Sequence, residues 1–179
     1  MTQSPAAQPR YTAGIYDLCT KTNLASLTLL ELTVKSTRRE APYNGKGQAC
    51  VFELTTPTGH PATLRVEAAV ADNDTQAEQI YRAQRTGRMQ FEGAVAGIGQ
   101  IAEAFTLESE PGVKYSEYKI HARDANFVLE VWLTVGGTTF APTSHTGGIV
   151  RHVSDNTYKD LCLAWQTPDG SAPPLSPSR

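Results

Sequence analysis

Apolar and polar positions alternate with a period of two over several stretches, as expected for strands with one buried face. Cys50, Phe52 and Leu54 alternate with Val51, Glu53 and Thr55, and Leu64, Val66, Ala68 and Val70 alternate with Thr63, Arg65 and Glu67. A loop running from Pro57 to Pro61 joins the two runs, so they predict a hairpin. A second hairpin is predicted where Ser116, Tyr118 and Ile120 precede Phe127, Leu129, Val131, Leu133 and Val135, with Asp124-Ala125-Asn126 at the turn. A further strand is expected over residues 28–38 from Leu30, Leu32 and Val34. It runs into the turn signal Tyr43-Asn44-Gly45-Lys46-Gly47, in which Asn-Gly supplies positive φ.

Three stretches switch to helical spacing. Residues 17–27 predict a short opening helix capped by Asp17. Thr75-Gln76-Ala77-Glu78 has the form of a capping box, after which Ala77, Ile80, Tyr81 and Gln84 share one face and Gly87 ends the helix. Tyr158, Leu161, Cys162 and Trp165 fall on one face of a last helix over residues 148–165. Between these, residues 89–93 read as a poor strand and residues 97–102 as a turn leading into a strand. The order predicts an α+β domain, an antiparallel β-sheet flanked by helices on one or both faces. Pro and Ser crowd the two ends, so residues 1–10 read as a flexible N-terminal tail and 167–179 as a Pro/Ser-rich C-terminal tail. Residues 11–166 remain as a single globular domain.

Composition narrows the function classes. Sixteen Lys and Arg stand against 18 Asp and Glu, a net charge of −2, so there is no basic footprint for nucleic acid. The apolar runs are a few residues long, far short of the roughly 20 needed to span a membrane. Cys19, Cys50 and Cys162 allow at most one internal disulfide, and on the residues alone all three pairings stand open. Three reduced thiols in a cytosolic protein are the plain alternative. There is no Cys-x-x-Cys and no His within five residues of a Cys, so zinc-ribbon and thioredoxin-type readings fail.

The ordered features resemble a known family. Asp17-Leu18-Cys19 is followed about thirty residues later by a second cysteine that opens a strand, Cys50-Val51-Phe52-Glu53. A hairpin, a capped helix and the run Val95-Ala96-Gly97-Ile98-Gly99-Gln100-Ile101-Ala102 come next, then a hairpin whose turn holds Arg123-Asp124-Ala125-Asn126. Together these resemble, over about residues 14–165, the actinobacterial exported lipoprotein-like domains of unknown function. Those domains have a PsbP-like α/β sandwich, shared with mycobacterial lipoproteins and, more distantly, with a kinase extracellular sensor domain. The chain departs from the pattern at Phe52, where Trp is common, and at Gln100, where the family's Gly-x-Gly-Asp-x-Ala carries Asp. The resemblance implies a Cys19–Cys50 disulfide, with Cys162 as a free thiol. It also implies an extracytoplasmic location, in the cell envelope or secreted, with the targeting segment absent from this chain.

Candidate chemistry is sparse. Gly97-Ile98-Gly99-Gln100-Ile101-Ala102 formally matches a dinucleotide fingerprint, with Glu117 near the acidic offset. The chemistry needs a strand before the glycines and a helix after them, and neither is predicted, so no cofactor is expected. Of the histidines, His60 falls in a hairpin loop and His121 near a strand end on a wet face. His145 and His152 are separated by Gly147 and Gly148, read as a break, so no metal site is expected. Ser144-His145 lacks a nucleophile elbow, and His152 and Cys162 would lie roughly 15 Å apart on one helix. Asn73-Asp74-Thr75 is a formal glycosylation sequon in a helix-capping position.

Glu53, Arg65, Glu67, Glu117, Lys119 and His121 occupy the non-apolar strand positions, which gives a solvated face with cross-strand ion pairs. The sharper reading makes Glu117, Lys119, His121 and Trp132 a possible binding face, although alternation leaves Trp132 open to either side. The function expected is a non-enzymatic extracytoplasmic binding or sensor domain for a small molecule, an envelope component or a protein. It is expected to use no nucleic acid and no membrane span of its own. The alternatives are a small enzyme built on scattered His121, Glu117 and Ser144, or a cytosolic interaction domain.

Overall fold

A computed structural model describes residues 9–85 and 87–168. The chain forms α1 (Leu18–Lys21), a 3-10 helix (Ala25–Leu30), β1 (Thr33–Glu40), β2 (Lys46–Thr55), β3 (Pro61–Val70) and α2 (Asp74–Ala83). It continues with β4 (Gln90–Ala94), β5 (Ile101–Ser109), β6 (Lys114–Asp124), β7 (Phe127–Gly137) and α3 (Thr143–Trp165). All seven strands join one antiparallel sheet in the order β1-β2-β3-β7-β6-β5-β4. The α+β architecture, an antiparallel sheet flanked by helices, is the one the alternation predicts.

The pleat assigns the two faces. Register places Cys50, Val66, Val131, Ile120 and Ala104 in one row across five strands. On that apolar face lie Ile149, Val150, Val153, Leu161 and Trp165 of α3, all almost fully buried. Each such side chain contributes about 1.5–3 kcal/mol of burial. The opposite face carries α2, whose Ala77 and Ile80 cluster with Ala71 and Val128. Cys19 and Cys50 form a disulfide with their Cα atoms 5.3 Å apart, which fixes α1 to β2.

Several predicted elements differ in the structure. Residues 28–38 are not one strand: Leu30 ends a 3-10 helix, Glu31 adopts a left-handed conformation at φ 49°, and β1 begins at Thr33. Short apolar runs fit either element, and here Leu27 and Leu32 are buried while Val34 is exposed. The capping box at Thr75 does not form. Asn73 caps α2 instead, its Oδ1 accepting from the Gln76 amide at 2.9 Å, while the Gln76 side chain accepts from the Asp72 amide. Asn is the stronger N-cap and occupies the site first.

Residues 90–94 form an edge strand in spite of Gly93, since an edge needs only one partner. Gly147 and Gly148 do not break the last helix, which starts at Thr143 and carries both His145 and His152. A Cβ on Gly147 would stand 2.9 Å from the Tyr118 ring, so glycine lets α3 lie close on β6. The Gly97–Gly99 run is a turn into β5 with φ of 85° and 66°, and no helix follows it.

The tails assigned to 1–10 and 167–179 fall mostly outside the described residues. At the boundary, Tyr11 and Gln166 form an antiparallel bridge, flanked by hydrogen bonds from the Thr12 amide to Trp165 O and from the Thr167 amide to Arg10 O. Among the described residues no helix is long and apolar enough to cross a membrane.

Candidate functional site

Side chains alternate across the pleat, so the residues between the apolar positions all point toward α2. They form two rows. Glu67, Glu130, His121 and Glu103 lie side by side in one, and Arg65, Trp132, Lys119 and Phe105 in the next. An acidic row thus adjoins a basic and aromatic one. Register brings Glu117, Lys119, His121 and Trp132 together on this face, which settles the side on which Trp132 lies.

The face is not wet, however. Lys119 and His121 are 1% and 0% exposed, while Glu117 and Trp132 are only half-buried. Three groups cover its buried part. The Tyr81 ring of α2 stacks on His121 with centroids 4.1 Å apart, the carbonyl of Gln84 receives the Lys119 ammonium, and the Tyr43 ring lies 4.2 Å over the Arg65 guanidinium.

Buried charges survive only when paired, and these are. Glu103 accepts from the Tyr81 hydroxyl at 2.8 Å, from Arg85 Nε at 3.1 Å and from His121 Nε2 at 3.1 Å. Lys119 lies 3.4 Å from Glu130 and above the Trp132 ring, whose Nε1 donates to Glu117 at 2.9 Å. Arg65 links Glu40 to Glu67. Burial lowers the His121 pKa to about 4, with the Lys119 and Arg85 charges acting in the same direction as burial. The imidazole is therefore neutral at neutral pH and donates to Glu103. Burial alone would raise Glu103, but donors from Arg85, Tyr81 and His121 outweigh it and hold the carboxyl low. Glu130 is raised by its own burial.

A second polar hub lies at the other end of β6. Asp124 accepts from the Tyr11 hydroxyl at 2.6 Å, from Tyr158 at 2.7 Å and from Arg10 at 3.1 Å. Asn126 is wholly buried, accepts from the Tyr11 amide, and donates to the carbonyls of Tyr11 and Ala71. The turn residues that close the β6–β7 hairpin thus fasten three other segments. Cys162 is free and half-buried beside the Tyr11 and Tyr158 hydroxyls, and burial pushes its thiol pKa up, which keeps it protonated.

Open space lies along α3, on the far side of the sheet from the charge network. One lobe of about 480 Å³ is lined by Glu92, Tyr118, Thr143, Ser144 and Arg151. A second, about 350 Å³, is lined by Ala96, Ile98, His152 and Asp155. Gly148 and Arg151 border both, so they form one groove between α3 and the β4–β5 edge. Tyr118 is raised mainly by burial, with Glu92 and Arg151 acting on it in opposite directions. Among the described residues, neither Glu92 nor Arg151 has an ion-pair partner, and His152 Nε2 is buried without a hydrogen bond.

The nominated enzyme residues are not assembled. Ser144 lines this groove, whereas Glu117 and His121 lie on the opposite face of the sheet. His145 and His152 share a helix, but among the described residues no three His, Cys, Asp or Glu side chains converge as a metal would require. Sequence reasoning missed Glu92, Tyr118 and Arg151. Its one available signal was the Gly147-Gly148 pair, a point of close approach within helical spacing.

No protein-family model matches the chain. No curated protein matches it. Among solved structures, the extracellular domain of PknH from Mycobacterium tuberculosis superimposes with a TM-score of 0.49 at 11% identity, covering 83% of this chain and 99% of that one.

Proposed function

We propose that this chain is a non-enzymatic extracytoplasmic binding domain, of the exported lipoprotein-like kind, whose ligand occupies the α3 groove. One observation carries the reading: Arg151, Glu92 and the Tyr118 hydroxyl line a concavity of about 480 Å³ without being consumed by partners among the described residues. That size is within the range of small-molecule sites, and a few convergent polar groups over an aromatic ring suit a small polar ligand. The separation of Ser144 from Glu117 and His121 favours binding over catalysis. The Cys19–Cys50 bond supports an oxidising compartment. Residues 11–166 act as the binding unit.

The test is a ligand screen on isotope-labelled protein with small polar metabolites and envelope glycan fragments. Shifts are expected to cluster at Gly147, Gly148 and Arg151, and Arg151→Ala is expected to weaken any hit at least tenfold, about 1.4 kcal/mol. Hits that map elsewhere and ignore Arg151→Ala would overturn the groove. Location is tested separately, by blocking thiols at lysis of the source cells. One blocked cysteine, Cys162, is expected, and three would favour the cytosolic alternative.

A further inference from the structure

A separate concavity lies on the α2 side of the sheet. Its volume is about 250 Å³, and Glu78, Tyr81 and Arg82 of α2, Arg85 just beyond it, Ile101 of β5 and Arg123 of β6 bound it. Among the described residues three arginines line it, and two are committed. Arg82 Nε donates to Glu78 at 3.1 Å, and Arg85 Nε donates to Glu103 at 3.1 Å.

Arg123 is different. Among the described residues it has no carboxylate partner, and the one hydrogen bond of its guanidinium is a long 3.4 Å donation from Nη1 to the Ala125 carbonyl. Its Nε is buried and bonds to nothing described. The neighbouring Asp124 does not help, because its carboxylate is taken by Tyr11, Tyr158 and Arg10. Among the described residues the cavity is thus bordered by one guanidinium that no carboxylate pairs, on a half-buried side chain fixed by an inner strand of the sheet. The C-terminal end of α2 contributes partial negative charge nearby, which Arg82 and Arg85 offset. A guanidinium presents its donors as a planar fork that fits the paired oxygens of a carboxylate or phosphate, and partial burial strengthens the attraction.

We propose that this cavity is a binding site for the oxyanion group of a small solute, with Arg123 as its principal donor. The volume is below the usual range for drug-sized ligands, which restricts the occupant to a small anion. The site is independent of the α3 groove, since the two lie on opposite faces of the sheet.

The experiment titrates inorganic phosphate, and separately acetate, into labelled protein at constant ionic strength, following backbone amides and arginine Nε–H signals. A saturable shift at Arg123 Nε–H and at the amides of Ile101 and Arg123 is expected with at least one anion. Saturation by phosphate alone assigns a phosphate-bearing solute, and saturation by acetate assigns a carboxylate. Arg123→Gln is expected to weaken binding at least tenfold, while Arg151→Gln in the other groove leaves it unchanged. Absence of saturation with both anions overturns the proposal, as does equal affinity in folded Arg123→Gln. The Nε–H readout needs no variant, so a misfolded substitution does not remove the test.

Discussion

His121 is sealed between the rings of Tyr81 and Phe105, with Glu103 as its hydrogen-bond partner. Its pKa is near 4 in the fold, against about 6.5 in an unfolded chain. Between those values the unfolded chain takes up a proton that the folded one refuses. This contribution to stability is therefore complete above pH 6.5 and is lost as the pH falls toward 4. It amounts to a loss of about 2 kcal/mol by pH 5. Glu103, held below the usual carboxylate range, adds a further loss at still lower pH. Urea midpoints at pH 7 and pH 5 check this, with His121→Gln expected to flatten the difference, and equal wild-type midpoints would count against a buried neutral imidazole. Alternation in the sequence puts His121 and Lys119 on the polar side of β6, but not under cover. The cover comes from Tyr81 and Gln84, about 40 residues away along the chain, a distance over which periodicity carries no information.

At the scale of elements, the turn before β5 separates two glycines that look alike in sequence. Gly99 has φ 66°, and a Cβ there would fall 2.6 Å from the Arg123 carbonyl oxygen, whereas Gly97 at φ 85° has open space around it. Gly99→Ala is expected to cost about 2–3 kcal/mol, from left-handed strain plus the backbone clash, and Gly97→Ala about 1 kcal/mol. Thermal unfolding of the two variants measures the gap, and equal losses would mean the clash is relieved by backbone movement. The two hairpins and the buried face of α2 are legible because their alternation and spacing are uninterrupted over many residues. The start of α3 is hidden because Gly147 and Gly148 lower local helix propensity by roughly 1 kcal/mol each, and packing on Tyr118 overrides it. The edge strand at Gln90–Ala94 is hidden too: its residues are largely exposed, so no apolar face marks them. The α3 groove draws on Glu92, Tyr118 and Arg151, one from each of three elements, and no local pattern links them.

Across the whole molecule, the sheet and its two covering layers supply the core, and the disulfide adds to it. Cys19 and Cys50 are 31 residues apart, and closing such a loop limits the unfolded chain by about 4 kcal/mol. Reduction is expected to lower Tm by about 10 °C while leaving a cooperative transition. Calorimetry with and without reductant, on a Cys162→Ser background, measures it, and a Tm insensitive to reduction would show that the unfolded state is already constrained. The bridge between Tyr11 and Gln166 has a mechanical meaning of its own. Paired backbones stand about 5 Å apart, so the path into the domain begins beside the path out. A pull applied through both flanks would part that bridge bond by bond, with the long strands shielded from load. By the same geometry, the domain would fit within a loop of a host protein as a hairpin does, without prying the host apart.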